Sequence, residues 1–142
     1  MDKTVVYTYR TVNVPPKVIR QCPKGGVGRI AFRIERPKKD FNGRVEIQCD
    51  NNETTLRDIP FVYKVTYACC SPLDNFSRRA ARSLTDTRAY LAKDSNDAHA
   101  QCYLEEIRSE KKLSIREVVN QVLGYISRGY CGPHWIRKSE VI

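Results

Sequence analysis

Apolar and polar residues alternate along the first half of the chain and then shift to a spacing of three and four. Val5 to Val14 is rich in Val, Tyr and Thr and stops at Pro15-Pro16, which cannot continue a strand ladder. In Arg29 to Glu35, Ile30, Phe32 and Ile34 share one face, and Arg29, Arg33 and Glu35 take the other. Arg44 to Cys49 repeats the alternation, with Val45, Ile47 and Cys49 expected inward, and Asp40-Phe41-Asn42-Gly43 reads as a hairpin connection between these two strands. A further turn at Asp50-Asn51-Asn52 precedes a strand from about Phe61 to Cys69. There Phe61, Tyr63, Val65 and Tyr67 oppose Val62, Lys64, Thr66 and Ala68. Together these segments predict a mainly antiparallel sheet of about four strands.

After Pro72 the period becomes helical. Asp74-Asn75 offers a cap for a helix from about Phe76 to Ala92, with Phe76, Ala80, Leu84 and Leu91 as its apolar stripe. A second helix is expected over about Asp97 to Lys112, carrying Cys102, Tyr103, Leu104 and Ile107. The third has the clearest start: Ser114-Ile115-Arg116-Glu117 matches a capping box, Val118, Val119, Val122 and Ile126 form the stripe, and Gly129 can end it. Strands followed by about three helices indicate one α+β domain over residues 1–142, with the helices on one face of the sheet. The tail from Tyr130 to Ile142 is expected to pack back through Tyr130 and Trp135.

Charge divides this outline unevenly. The chain has 142 residues, with 25 Lys and Arg against 16 Asp and Glu, a formal net charge of +9. The excess lies in two blocks. Lys17, Arg20, Lys24, Arg29, Arg33, Arg36, Lys38 and Lys39 form the first, and Arg78, Arg79, Arg82, Arg88 and Lys93 the second, whereas residues 94–142 are balanced. Clustered cations at high pI are the footprint of a polyanion binder, because each neutralised phosphate releases condensed counterions. They equally suit an acidic protein surface. No apolar run approaches the roughly 18 residues of a membrane span, and the N-terminus leads straight into the alternating segment without a signal-like apolar stretch. The expected setting is cytoplasmic, with reduced thiols.

Chemistry-bearing constellations are few. Lys24-Gly25-Gly26-Val27-Gly28 precedes a strand, whereas phosphate loops follow one and open a helix, so it reads as a turn. The two histidines each lie three residues from a cysteine, which makes His99, Cys102, Cys131 and His134 a four-ligand set for zinc. The same histidines are the acid–base candidates for a small nuclease. Cys22, Cys49, Cys69 and Cys70 read as core or strand thiols. No nucleophile elbow is present, so no catalytic residue is assigned.

The stretch from Cys70 to Arg82 joins a strand end, a Pro turn, an Asx cap, an aromatic anchor and a basic helix. Arg78 and Arg82, four apart, share a face, with Arg79 beside them. Cys70, Pro72, Asp74, Phe76, Arg78 and Arg82 resemble a Cys-x-Pro-x-Asp-x-Phe-x-Arg/Lys pattern of small tailed-bacteriophage proteins of unknown function. The match runs over residues 70–88 and departs from the pattern at Ala81, where Gly is expected. The resemblance implies a phage accessory protein in the host cytoplasm and carries over no catalytic residue.

The expectation is therefore a non-enzymatic protein that binds nucleic acid, or a host complex that handles it, through Arg29, Arg33, Lys38, Lys39, Arg78, Arg79, Arg82 and Arg88. The alternative is an inhibitor or modulator docking on an acidic patch of a host enzyme, with Tyr7, Tyr9 or Trp135 as its anchor. A small nuclease or zinc protein is the third reading.

Overall fold

A computed structural model of the chain describes residues 3–93, 102–128, 133–138 and 140–141. The first half folds as its alternation predicts. Strands β1 (Lys3–Val14) and β2 (Gly26–Pro37) pair antiparallel along their whole length, Tyr7 opposite Arg33 and Tyr9 opposite Ala31. Strand β5 (Phe61–Cys70) pairs with the other edge of β2, Ala31 opposite Ala68 and Glu35 opposite Lys64. The second half departs from expectation at one element. Residues 104–109 form a strand, β6 (Leu104–Ser109), antiparallel to β5, where a helix over 97–112 was expected; residues 94–101 lie outside the described part. Leu104 and Ile107 are three apart, which suits a helix face better than a strand, and pairing of Ile107 with Tyr63 on the open edge of β5 overrides that local signal. A short β7 (Glu140–Val141) borders Val12 and Asn13, so the sheet runs β6-β5-β2-β1-β7.

Strands β3 (Arg44–Gln48) and β4 (Thr54–Asp58) do not join that sheet. They form a separate two-stranded hairpin arm on the connection between β2 and β5. This corrects the expectation that Val45, Ile47 and Cys49 face a core and that residues 40–43 turn β2 directly into β3. The arm begins at Gly43, whose positive φ of 82° turns the chain outward; its carbonyl accepts from the Ile59 amide at 2.8 Å, and Phe41 meets Phe61 edge-on below it. The Asp50-Asn51-Asn52 turn is where the sequence places it, closed by Cys49 N–H donating to the Glu53 carbonyl at 2.8 Å.

Among the described residues two helices cover the sheet, from opposite sides, where about three on one face were expected. Helix α2 (Ile115–Arg128) starts at the expected capping box: the Ser114 hydroxyl oxygen accepts from the Glu117 amide at 3.1 Å. Its Val118, Val119, Val122 and Ile126 are buried with Ile30, Phe32, Ile34, Tyr63 and Val65 in one core cluster. Burying such side chains contributes about 1.5–3 kcal/mol each and supplies most of the driving force. Tyr63 keeps its hydroxyl satisfied inside this core by accepting from the Leu113 amide at 2.9 Å. Trp135 and Ile136, in a 3-10 helix (His134–Lys138), close the same core, with the Trp135 ring where a side chain at Gly28 would sit. The expected tail packing holds for Trp135, while Tyr130 and Gly129 lie outside the described residues.

Helix α1 (Arg78–Ala92) lies on the other face, across β2 and β5. Ser77 caps it, accepting from the Ala80 amide at 3.3 Å, in place of the expected Asp74 or Asn75. The residues it buries are Thr85, Ala89 and Ala92, whereas Leu84 and Leu91 of the expected stripe are exposed. The reason is the surface beneath. On that face the strands present the small or polar Ala31, Ala68 and Thr66, and small helix residues let the backbone come close.

Candidate functional site

Strand pleat and register prepare the surface that α1 covers. Side chains alternate across a strand, so Tyr7 and Tyr9 on β1 share a face with Arg29, Arg33 and Glu35 on β2. The turn after β5 then delivers the helix to this face. Asp74 N–H donates to the Ser71 carbonyl at 3.1 Å, the Ser71 hydroxyl donates to the Asp74 carboxylate at 3.1 Å, and Pro72 packs against Gly26. The motif positions Cys70 to Asp74 thus build the corner that sets Phe76 and α1 in place.

Phe76 is the hub of a ladder of rings and guanidinium groups. Its ring meets Tyr9 edge-on at 5.7 Å, and Arg29 stacks over it at 5.1 Å. Arg78 lies over Tyr9 at 5.0 Å and Arg82 over Tyr7 at 4.9 Å, while Arg82 Nε donates to the Tyr9 hydroxyl at 3.0 Å. Each such stack is worth about 0.5–1 kcal/mol at an exposed site. The larger effect is geometric: the rings hold the guanidinium groups of Arg29, Arg78 and Arg82 in one row, with Arg82 also anchored through its Nε–H on Tyr9. Arg78, Arg79 and Arg82 line a recess on α1 together with Ser83 and Asp86.

Asp86 does not neutralise that row. Its carboxylate accepts from Arg33 Nε at 2.9 Å and from the Tyr7 hydroxyl at 2.5 Å, and Arg33 also bridges Glu35 at 2.7 Å. Burial opposes the charge on Arg33, yet the hydrogen bonds it donates to Glu35 and Asp86 outweigh that and raise its pKa. Burial, reinforced by Asp86, likewise pushes the Tyr7 phenol above its ordinary value. Among the described residues Arg78, Arg79 and Arg29 have no carboxylate partner.

Of the eight cations singled out in the sequence, the fold gathers Arg29, Arg78, Arg79 and Arg82. Arg33 lies on the same face, committed to Asp86 and Glu35. Arg88 points away, donating to the Tyr67 carbonyl at 2.9 Å and stacking at 3.7 Å on Tyr103, so it joins α1 to the sheet. Lys38 and Lys39 follow the far end of β2, where Lys112 Nζ donates to the Lys39 carbonyl at 3.1 Å. Tyr7 and Tyr9 were legible as aromatic anchors; their part in positioning arginines rests on strand register, which local sequence does not reveal.

Two members of the four-ligand zinc set, His99 and Cys131, lie outside the described residues. Of the others, Cys102 offers its carbonyl to the Tyr67 hydroxyl and His134 Nε2 lies 3.1 Å from the Val18 carbonyl. Among the described residues no three His, Cys, Asp or Glu side chains converge as metal ligands, and the five described cysteines are free thiols. Gly25, at a positive φ of 76°, serves the turn into β2, and Gly28 within the strand makes room for Trp135, in keeping with a structural role for this segment. Among the described residues no helix is long and apolar enough to cross a membrane. No protein-family model, curated protein or solved structure matches this chain.

Proposed function

We propose that this chain is a non-enzymatic nucleic-acid-binding protein that grips phosphates with Arg78, Arg79, Arg82 and Arg29. The observation supporting this reading is the ladder in which the guanidinium groups of Arg29, Arg78 and Arg82 sit over Phe76, Tyr9 and Tyr7, with Arg29, Arg78 and Arg79 lacking a carboxylate partner among the described residues. A planar fork pre-oriented in this way loses less freedom on meeting a phosphate than a loose lysine would. Sequence-independent affinity is the expected result, since the contacts are to backbone charge and not to base edges. In the phage setting implied by residues 70–88, the protein would act as a small accessory factor on nucleic acid, or on a host complex handling it.

Fluorescence anisotropy with labelled duplex DNA, duplex RNA and single strands tests this reading. Affinity is expected to fall with salt at a log–log slope of about −3 to −4 on B-DNA, as three or four phosphate contacts require. Arg78→Glu with Arg82→Glu should abolish binding while costing only about 1–3 kcal/mol of stability, from the lost stacks on Tyr9 and Tyr7 and the lost Arg82–Tyr9 hydrogen bond. Absence of binding to every nucleic acid at low salt overturns it and leaves the acidic-protein partner as the reading to pursue.

A further inference from the structure

The hairpin arm is the least explained part of the molecule. Its two strands pair only with each other and are exposed along nearly their whole length, and a lone two-stranded hairpin is marginally stable in water. On a basic chain it is locally acidic. Residues 45–56 hold Glu46, Asp50 and Glu53 and no Lys or Arg. They also present apolar surface, with Leu56 64% and Ile47 37% exposed, and Leu56 is the cross-strand partner of Glu46.

The complement of such a tip lies on the same chain. Beside the arginine row of α1, a cleft of about 170 Å³ opens between the end of β5 and the start of α1, lined by Ala68, Phe76, Ala80, Ala81 and Leu84 among others. The acidic arm with its exposed leucine thus has a counterpart of cations beside an apolar cleft. Within one molecule the two do not meet: no residue of 44–58 lines the arginine recess or the cleft.

We infer that the arm of one copy docks on the α1 arginines and apolar cleft of a second copy, carboxylates on Arg78, Arg79 and Arg82 and Leu56 in the cleft. Reciprocal docking of two arms closes a two-fold dimer, whereas one-way docking propagates into a ring or an open chain of copies. A phosphate polymer would compete for the same arginines, but the inference does not rest on nucleic-acid binding.

The test is sedimentation velocity of the nucleic-acid-free full chain at low and high salt. Wild-type protein is expected to form concentration-dependent assemblies that dissociate in salt. An arm variant, Glu46→Lys with Asp50→Lys and Glu53→Lys, and a receptor variant, Arg78→Glu with Arg79→Glu and Arg82→Glu, should each weaken association on the order of tenfold or more, because three exposed ion pairs turn repulsive. Mixed one to one, they should assemble again, since each variant's arm then matches the other's receptor. Wild-type chain that stays monomeric at its highest soluble concentration in low salt overturns the inference; so do variants that still assemble alone, and a mixture that fails to. If circular dichroism shows a triple variant to be unfolded, Glu53→Lys alone, at the turn, must still raise the dissociation constant.

Discussion

Asp86 of α1 and Arg33 of β2 meet at 2.9 Å across the helix–sheet interface, and the ion pair draws the one carboxylate that lines the arginine recess among the described residues down toward the sheet. The arrangement ties a half-exposed contact to a property of the surface. Asp86→Asn should lower stability by about 1–2 kcal/mol, as loss of a charged hydrogen-bond acceptor does. The same change should raise affinity for polyanions, because an acid leaves the recess. Chemical denaturation and anisotropy on one protein preparation check the opposed directions.

Glu35 makes the network sensitive to acid. Burial alone would raise its carboxyl, but the hydrogen bond and charge of Arg33, with Lys3 and Lys93 nearby, hold it below the ordinary 4.5. A carboxylate whose folded pKa is depressed stabilises the fold fully above its unfolded pKa of about 4.3 and loses that contribution as pH falls through the folded value. The melting-temperature gap between wild type and Glu35→Gln should be steady above about pH 5 and close as the pH drops below about 4. A gap unchanged into strong acid would show that Glu35 contributes nothing through its charge.

Arg88 and Arg79 separate packing from binding. Arg88→Lys loses the planar contact with Tyr103 and the aligned donor to Tyr67, and should cost about 1–2 kcal/mol of stability while leaving polyanion affinity unchanged. Arg79→Ala should do the reverse, reducing the salt slope by about one contact with little change in melting temperature. Thermal melts and salt titrations of the two variants check both.

Cys69 should be inert in the folded protein. Burial, despite the nearby Arg88 charge, pushes its thiol up to about 12. Thiolate is the reacting species, so iodoacetamide at about pH 8 should leave Cys69 untouched until denaturant is added. Peptide mass spectrometry over time reads this directly.

Legibility in the sequence followed how local each signal is. The Ser114–Glu117 cap and the four aliphatic residues after it define α2 without outside help, and alternation from Phe61 to Tyr67 marks a strand covered on one side. Residues 104–109 were misread as helix because their fate depends on the open edge of β5, more than 30 residues away in sequence. The buried side of α1 was misjudged for a related reason. Leu84 and Leu91 outrank Thr85 and Ala89 in hydropathy, but a sheet face of alanine and threonine selects small partners over large ones. The cations Arg78, Arg79 and Arg82 were plain in the sequence; that Arg88 belongs to packing, and that Tyr7 and Tyr9 hold the others in place, follows only from register.

The arm has a consequence for how the chain can vary. Because β2 and β5 are antiparallel neighbours, Pro37 and Phe61 come to the same end of the sheet, and a short reverse turn would suffice to join them. Residues 44–58, beyond the Phe41–Phe61 contact, are thus a severable insertion. They can lengthen, shrink or exchange their charges while every ladder of the five-stranded sheet stays intact, and so the partner such a protein meets can diverge faster than the fold that carries it.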